Sequence, residues 1–336
     1  MKKLAYVFLS SAILFAACTK QDTSMSLSDD ETPSADLSSG RHCASDEVLQ
    51  RQIAENPSRA SYLEDLERKT EVFIGRDLSR GTTMLYVPVV VHVVKTPGTV
   101  TDDQIRSQIE VLNKDFNKTN SELSNSNVYL AGYPLNSVPN CQITFVVTDI
   151  VRVPGTATFG TNDAVKKSSS GGSDPVDPTT KLNMWMCDLS SGYLGYAQFP
   201  GGSASTDGVV IDYQAFGTDA ATSYNMYAQF NLGRTATHEV GHWVNLRHIW
   251  GDRRCGTDYV NDTPAHDGSN GGCPAVNLKS SCSGKPLEQW MNYMDYTDDR
   301  CMYMFSGGQK TRMDATIDVA RKAYFLTTSP TPNLFP

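Results

Sequence analysis

Thr237-His238-Glu239-Val240-Gly241-His242-Trp243-Val244-Asn245-Leu246-Arg247-His248 is the stretch whose reading decides the fold. It reads H-E-x-x-H-x-x-N-x-x-H. On an α-helix His238 and His242 are four residues apart and project from one face, so both imidazoles can close on one metal ion. Glu239 is turned about 100° from His238, near enough to take a proton from a metal-activated water without being a ligand. His248 is the candidate third ligand. Ten residues of straight helix would carry it about 15 Å up the axis, so the helix must stop and turn back. Asn245 suits the left-handed backbone that such a turn requires. Three of the six histidines fall in this window. Two rivals for the third ligand remain in the sequence: Asp252, and Glu288, the one Glu after Glu239.

Working outward, Trp290-Met291-Asn292-Tyr293-Met294-Asp295-Tyr296 follows after a cysteine-bearing loop that contains Asn261-Asp262-Thr263-Pro264, and Cys301-Met302-Tyr303-Met304-Phe305 comes next. Together these runs resemble the metzincin zinc peptidases, and within them the pappalysin family, over residues 85–325. Asn245 departs from the family's usual Gly. The resemblance implies an α/β (α+β) catalytic domain with a twisted, mixed five-stranded sheet, the zinc helix, and a loop-rich, disulfide-stapled lower subdomain. It implies a Met-turn at Met294, a floor beneath the metal, and a Tyr296 that stabilises the oxyanion; the alternative is that both are ordinary core residues. It implies the pairs Cys255–Cys282 and Cys273–Cys301, where four cysteines alone allow three connectivities. Asp258 and Asp262 resemble a calcium loop, or are solvated turn residues. Cys141 and Cys187 are expected to be buried thiols outside the disulfides. A basic residue after the scissile bond calls for an acid in the pocket, and Asp295 is the nearest in sequence.

The whole chain is consistent with an exported enzyme. A net charge of −8 over 336 residues argues against nucleic acid as a partner. Lys2 and Lys3 precede an apolar run from Leu4 to Ala17, too short to span a membrane and typical of a signal peptide over 1–17. Phe15-Ala16-Ala17-Cys18 resembles a bacterial lipobox with Phe15 in place of Leu, so Cys18 is a candidate lipidation site and the only expected membrane link. A Ser- and Asp-rich tether (18–40) leads into an expected pro-segment (41–80) and a catalytic domain (81–336). The expected localisation is a bacterial outer-membrane or cell-surface lipoprotein, or a protein secreted after pro-segment cleavage.

Within the pro-segment a helical pattern runs from 46 to 69, broken at Asn56-Pro57-Ser58, and residues 70–84 read as an exposed, cleavable link. Strands are expected at 86–94, 141–147, 182–187, 195–199 and 208–213, helices at 101–117 and 309–324. His92 reads as a core residue. Arg41-His42-Cys43-Ala44 places a lone cysteine in a polar stretch. A Cys43 thiolate would fill the open zinc position, a cysteine switch, with Arg41 adding a salt bridge and release following a cut at Ser79-Arg80. The reading is an exported zinc-dependent endopeptidase, a monomer made as a zymogen and acting on proteins or peptides, with Zn²⁺ as cofactor and Ca²⁺ as a second candidate. Its alternative is a catalytically silent surface lipoprotein, which would have no need to keep Glu239 beside all three ligands.

Overall fold

Leu85–Val94 forms β1 because its β-branched residues favour the pleated backbone; nine of its ten side chains are buried, as befits a strand covered on both faces. The computed structural model describes residues 40–76, 81–124, 132–222 and 225–335. The signal peptide, the tether, Cys18 and the Ser79-Arg80 bond lie outside these. β1 pairs in parallel with β2 (Ile143–Val153) on one side and β4 (Leu182–Leu189) on the other. β6 (Val209–Asp212) continues the sheet in parallel, and β5 (Gly195–Ala197) closes its edge antiparallel to β6. The order is β2-β1-β4-β6-β5, and a two-residue β3 (Thr158–Phe159) joins β4 as a sixth strand that the pattern of residues did not announce. Two residues are too few to carry a period.

α3 (Asp102–Phe116) is capped by Thr101, whose side chain accepts from the Gln104 backbone NH. Its Ile105, Ile109, Leu112 and Phe116 meet one sheet face together with Ala236, Val240 and Trp243 of α4 (Arg234–Trp243). His92 is a core residue as read: its ring nitrogens meet Ser173 and Asn183 at 2.8 Å, and burial lowers its pKa to about 4. The last helix, α5 (Gly307–Thr316), is held at its start by a Ser306–Gln309 capping box and loosens into a π-helical turn at Ile317–Arg321. Among the described residues no helix is long and apolar enough to cross a membrane.

α1 (Ser45–Glu55) and α2 (Ser58–Gly75) lie N-terminal to the sheet and break where Asn56-Pro57 was read. α2 runs on to Gly75, so the link expected over 70–84 is shorter than read. The extension carries Phe73, buried at 7% exposure, and an apolar anchor of this kind keeps a helix going. Cys141 and Cys187 are buried thiols outside the two disulfides. β1 lies between β4, which carries Cys187, and β2, which begins two residues after Cys141.

Candidate active site

α4 brings His238 and His242 together as their spacing requires, and every residue of this helix is buried. Asn245 then takes φ 72°, the left-handed turn expected of it, and the chain doubles back to His248. The Nε2 atoms of His238 and His248 each lie 3.1 Å from that of His242. Each Nδ1 faces an oxygen: the Tyr293 carbonyl at 2.7 Å, the Leu246 carbonyl at 2.8 Å and the Asp252 carboxylate at 2.5 Å. A proton on each Nδ1 satisfies those acceptors and leaves three Nε2 lone pairs aimed at one another. Such a convergence is repulsive unless a cation lies between them, so the donor set fits zinc. Burial, with mutual repulsion among the rings, pushes His238 and His242 well below the usual range and keeps them neutral.

Asp252 therefore holds the third histidine in place and does not replace it. Glu288, the other rival, is turned away to the Asp267 backbone NH and Asn270. Met294 is fully buried beneath α4, so close that a Cβ at Gly241 would collide with its Sδ. Glu239 is buried, and that burial pushes its carboxyl up to about 7 against the opposing hydrogen bonds of Cys43 and Ser45. Tyr296 packs its ring 5.0 Å from that of His248 and 5.7 Å from that of His238. Both disulfides form as the resemblance implied, Cys255–Cys282 and Cys273–Cys301.

The N-terminal segment enters this site. The Cys43 thiol lies within 4.8 Å of the three histidine nitrogens and 3.4 Å from Glu239 Oε2. Ser45 donates to the same Glu239 oxygen at 2.9 Å and accepts from the Ala197 backbone NH at 2.8 Å. The Ala44 NH donates to the Gly195 carbonyl and the Leu194 NH to the His42 carbonyl, so the segment lies along β5 as a parallel bridge. The Tyr296 hydroxyl donates to the Cys43 carbonyl at 3.2 Å. Arg41 is buried, donating to Asp299 at 2.6 Å and to Thr235 at 2.7 Å.

The acid that Arg41 meets is thus Asp299, not Asp295. Asp295 is spent on Asn270 and on the Tyr296 backbone NH. Nothing in the Asp298-Asp299 doublet distinguishes it by spacing, and Ser45 reads simply as a helix start; only the fold brings them here. Asp258 accepts from Thr263 through both oxygens, and Asp262 takes the Ser306 hydroxyl and the Gly308 NH. Among the described residues these two join no group of three metal-ligating side chains, so the geometry adds nothing to the calcium reading.

Comparison with known proteins agrees with this geometry. A family profile described as pregnancy-associated plasma protein-A, peptidase M43, matches residues 171–318. An extracellular metalloprotease of Verticillium alfalfae is 32% identical over 253 residues, covering 71% of this chain and 80% of that protein. A Tannerella forsythia promirolysin variant superposes with a TM-score of 0.73 at 35% identity, over 84% of this chain and 96% of the other. Mature mirolysin from the same organism, in complex with a cleaved peptide, gives a TM-score of 0.62 at 39% identity, over 69% and 90% of the two chains.

Proposed function

Because this chain belongs to the pappalysin family of metzincin zinc metalloendopeptidases, we propose that His238, His242 and His248 hold its catalytic zinc and that residues 41–79 keep it latent. Zinc, when bound, supplies the Lewis acidity that makes water nucleophilic near neutral pH. Glu239, buried and with its carboxyl raised to about 7, takes a proton from the attacking water and returns it to the leaving amine. Tyr296 directs its hydroxyl toward the charge that develops on the peptide oxygen. Asp299 receives a basic side chain of the residue after the scissile bond, in the place Arg41 fills here. Export follows from the signal-peptide reading of residues 1–17 and from relatives named extracellular metalloproteases.

The observation that carries the latent state is the Cys43 thiol, set within 4.8 Å of all three histidine nitrogens by the Arg41–Asp299 pair on one side and Ser45 on the other. A thiolate there completes a four-ligand set and leaves no open position for water. The test is X-ray absorption on the zinc-loaded full chain carrying Glu239→Ala, which blocks self-cleavage. A sulfur at about 2.3 Å is expected. A shell of nitrogen and oxygen alone would rule the switch out, and equal activity of the uncut and cut wild-type chains would end the zymogen reading.

A further inference from the structure

Arg312 of α5 is buried, with a side chain 1% exposed, and is paired with Glu67 of α2. Its Nε donates at 2.7 Å to the carbonyl of Asn245, the residue whose turn returns the chain to His248. Its two remaining nitrogens grip the Glu67 carboxylate of α2 fork to fork. The Tyr259 ring lies 5.5 Å from this guanidinium and 5.4 Å from that of Arg247. Arg247 also sits 5.6 Å from the Phe199 ring, which itself packs 5.3 Å from His242. A cavity of about 330 Å³, lined by Asp46, Gln50, Arg247, Asp252 and Tyr259, ties this group to the partner of the third histidine.

This group lies beyond the histidines from Asp299. The N-terminal segment passes Arg41 at Asp299, then Cys43 at the histidines, then Asp46 and Gln50 in the cavity. Two acids of the catalytic body reach the same region, and both are committed. Asp252 holds His248, and Asp258 turns both oxygens to Thr263 while its field falls on Arg312. The carboxylate that closes the Arg312 fork is supplied by the segment itself.

We infer that Arg312, flanked by Arg247 and Tyr259, is an acid-accepting subsite for the part of the substrate upstream of the scissile bond, filled in the latent protein by Glu67. Removing residues 41–79 strips the fork of its carboxylate, while the bond to Asn245 keeps the guanidinium in place. An arginine cannot shed its proton to escape the cost, and its planar pair of donors matches a carboxylate. An Asp or Glu side chain of an extended peptide restores the pair that Glu67 made. The chemistry is that of an acidic peptide, with a basic residue after the cut and an acidic one before it. The inference rests on the reading above that the segment is removed and that Asp299 lies on the downstream side.

The test uses the activated wild-type enzyme and peptides with a fixed downstream Arg, in which one Glu is moved through the four positions upstream of the cut. One position is expected to raise kcat/KM about tenfold, mostly through KM, and to lose that gain at high salt. Arg312→Gln should erase the gain, so that within this variant the Glu-bearing and neutral peptides are cut with equal kcat/KM. Arg247→Gln, at a partly exposed position, should reduce it if the buried variant fails to fold. A flat response to Glu, or a gain that survives Arg312→Gln, overturns the subsite. Loss of the downstream Arg preference with the Glu gain intact would instead strike the Asp299 reading, so the two failures are distinguishable.

Discussion

α4 is buried at all ten of its residues, whereas α1 buries three of 11 and α2 five of 18, yet both parts reach the same three histidines. α4 is wedged between the sheet, α3 and Met294 by apolar contact, which is non-directional and shared among many neighbours. The N-terminal segment is held at separate points by polar pairs: Arg41 on Asp299, Ser45 on Glu239, Arg51 on Asp163, Glu67 on Arg312. A few apolar contacts, Leu49 and Leu63 around Phe199 among them, join these points. The first kind of attachment builds a permanent scaffold. The second contributes Ala44 and Val48 to one cluster against the sheet but no residue to the main core around α3 and α4.

The largest effect that probes this contrast is on the helix. Glu239→Ala should lower peptidase activity at least about a hundredfold, because it removes the base and leaves the ligands. Zinc content and thermal midpoint should stay within error of the parent. Loss of zinc or of fold in this variant would mean that Glu239 is part of the scaffold. His248→Ala should instead lose the metal, and stoichiometric zinc in that variant would break the three-histidine site.

Next comes the segment. Breaking one partner of a buried ion pair costs about 3–5 kcal/mol, so Arg41→Ala should loosen residues 41–75 as a unit. Hydrogen exchange over α1 and α2 should rise while β1 and β4 stay protected, and the uncut chain should show activity. If α1 and α2 stayed as protected as in the parent, the idea of point-wise attachment would fall.

A third test addresses the scaffold by pH. His92 is neutral in the fold, with a pKa near 4 against about 6.5 when unfolded, so the unfolded chain binds the extra proton between those values. Stability therefore falls as pH drops from about 6.5 to 4, by up to about 3 kcal/mol from this residue. Urea midpoints of the parent and His92→Gln should converge as the pH is lowered through that window. Parallel curves would show that His92 does not titrate with folding.

Much of the scaffold was legible in the sequence, because its signals are local. The β-branched run of β1, the Thr101 cap and the histidine spacing each name an element without reference to the rest of the chain. The site was legible as far as one helix and its turn define it. Asp252 was weighed as a ligand, but whether a carboxylate binds the metal or a ligand's far nitrogen is a matter of which atom faces which, and spacing alone does not say. Asp299 and Ser45 were missed for a related reason: their partners lie 258 and 194 residues away. Cys43 was singled out by its odd setting in a polar stretch, and Asp295 by its place beside the Met-turn, whereas the acid that Arg41 meets is Asp299.

The smallest expected effect lies at the turn between the helical pair His238 and His242 and the third histidine, His248. Asn245 is fully buried at φ 72°, and both its side-chain oxygen and nitrogen are without a hydrogen-bond partner. Its fitness is in its backbone, since Asn tolerates the left-handed region and Gly tolerates it better. Its side chain works against it, since a buried amide without partners gives up its hydration for nothing. Asn245→Gly keeps the turn and removes the amide, at the cost of a freer unfolded chain worth up to about 1 kcal/mol. The net change should be neutral or stabilising by less than about 1 kcal/mol, with zinc affinity unchanged. Asn245→Val also removes the amide but places a β-branched residue at positive φ, which should cost about 1 kcal/mol or more and weaken zinc binding. Metal competition with a chelator separates the two substitutions. If Asn245→Val held zinc and melted like Asn245→Gly, the left-handed turn would not be what sets His248 against its partners.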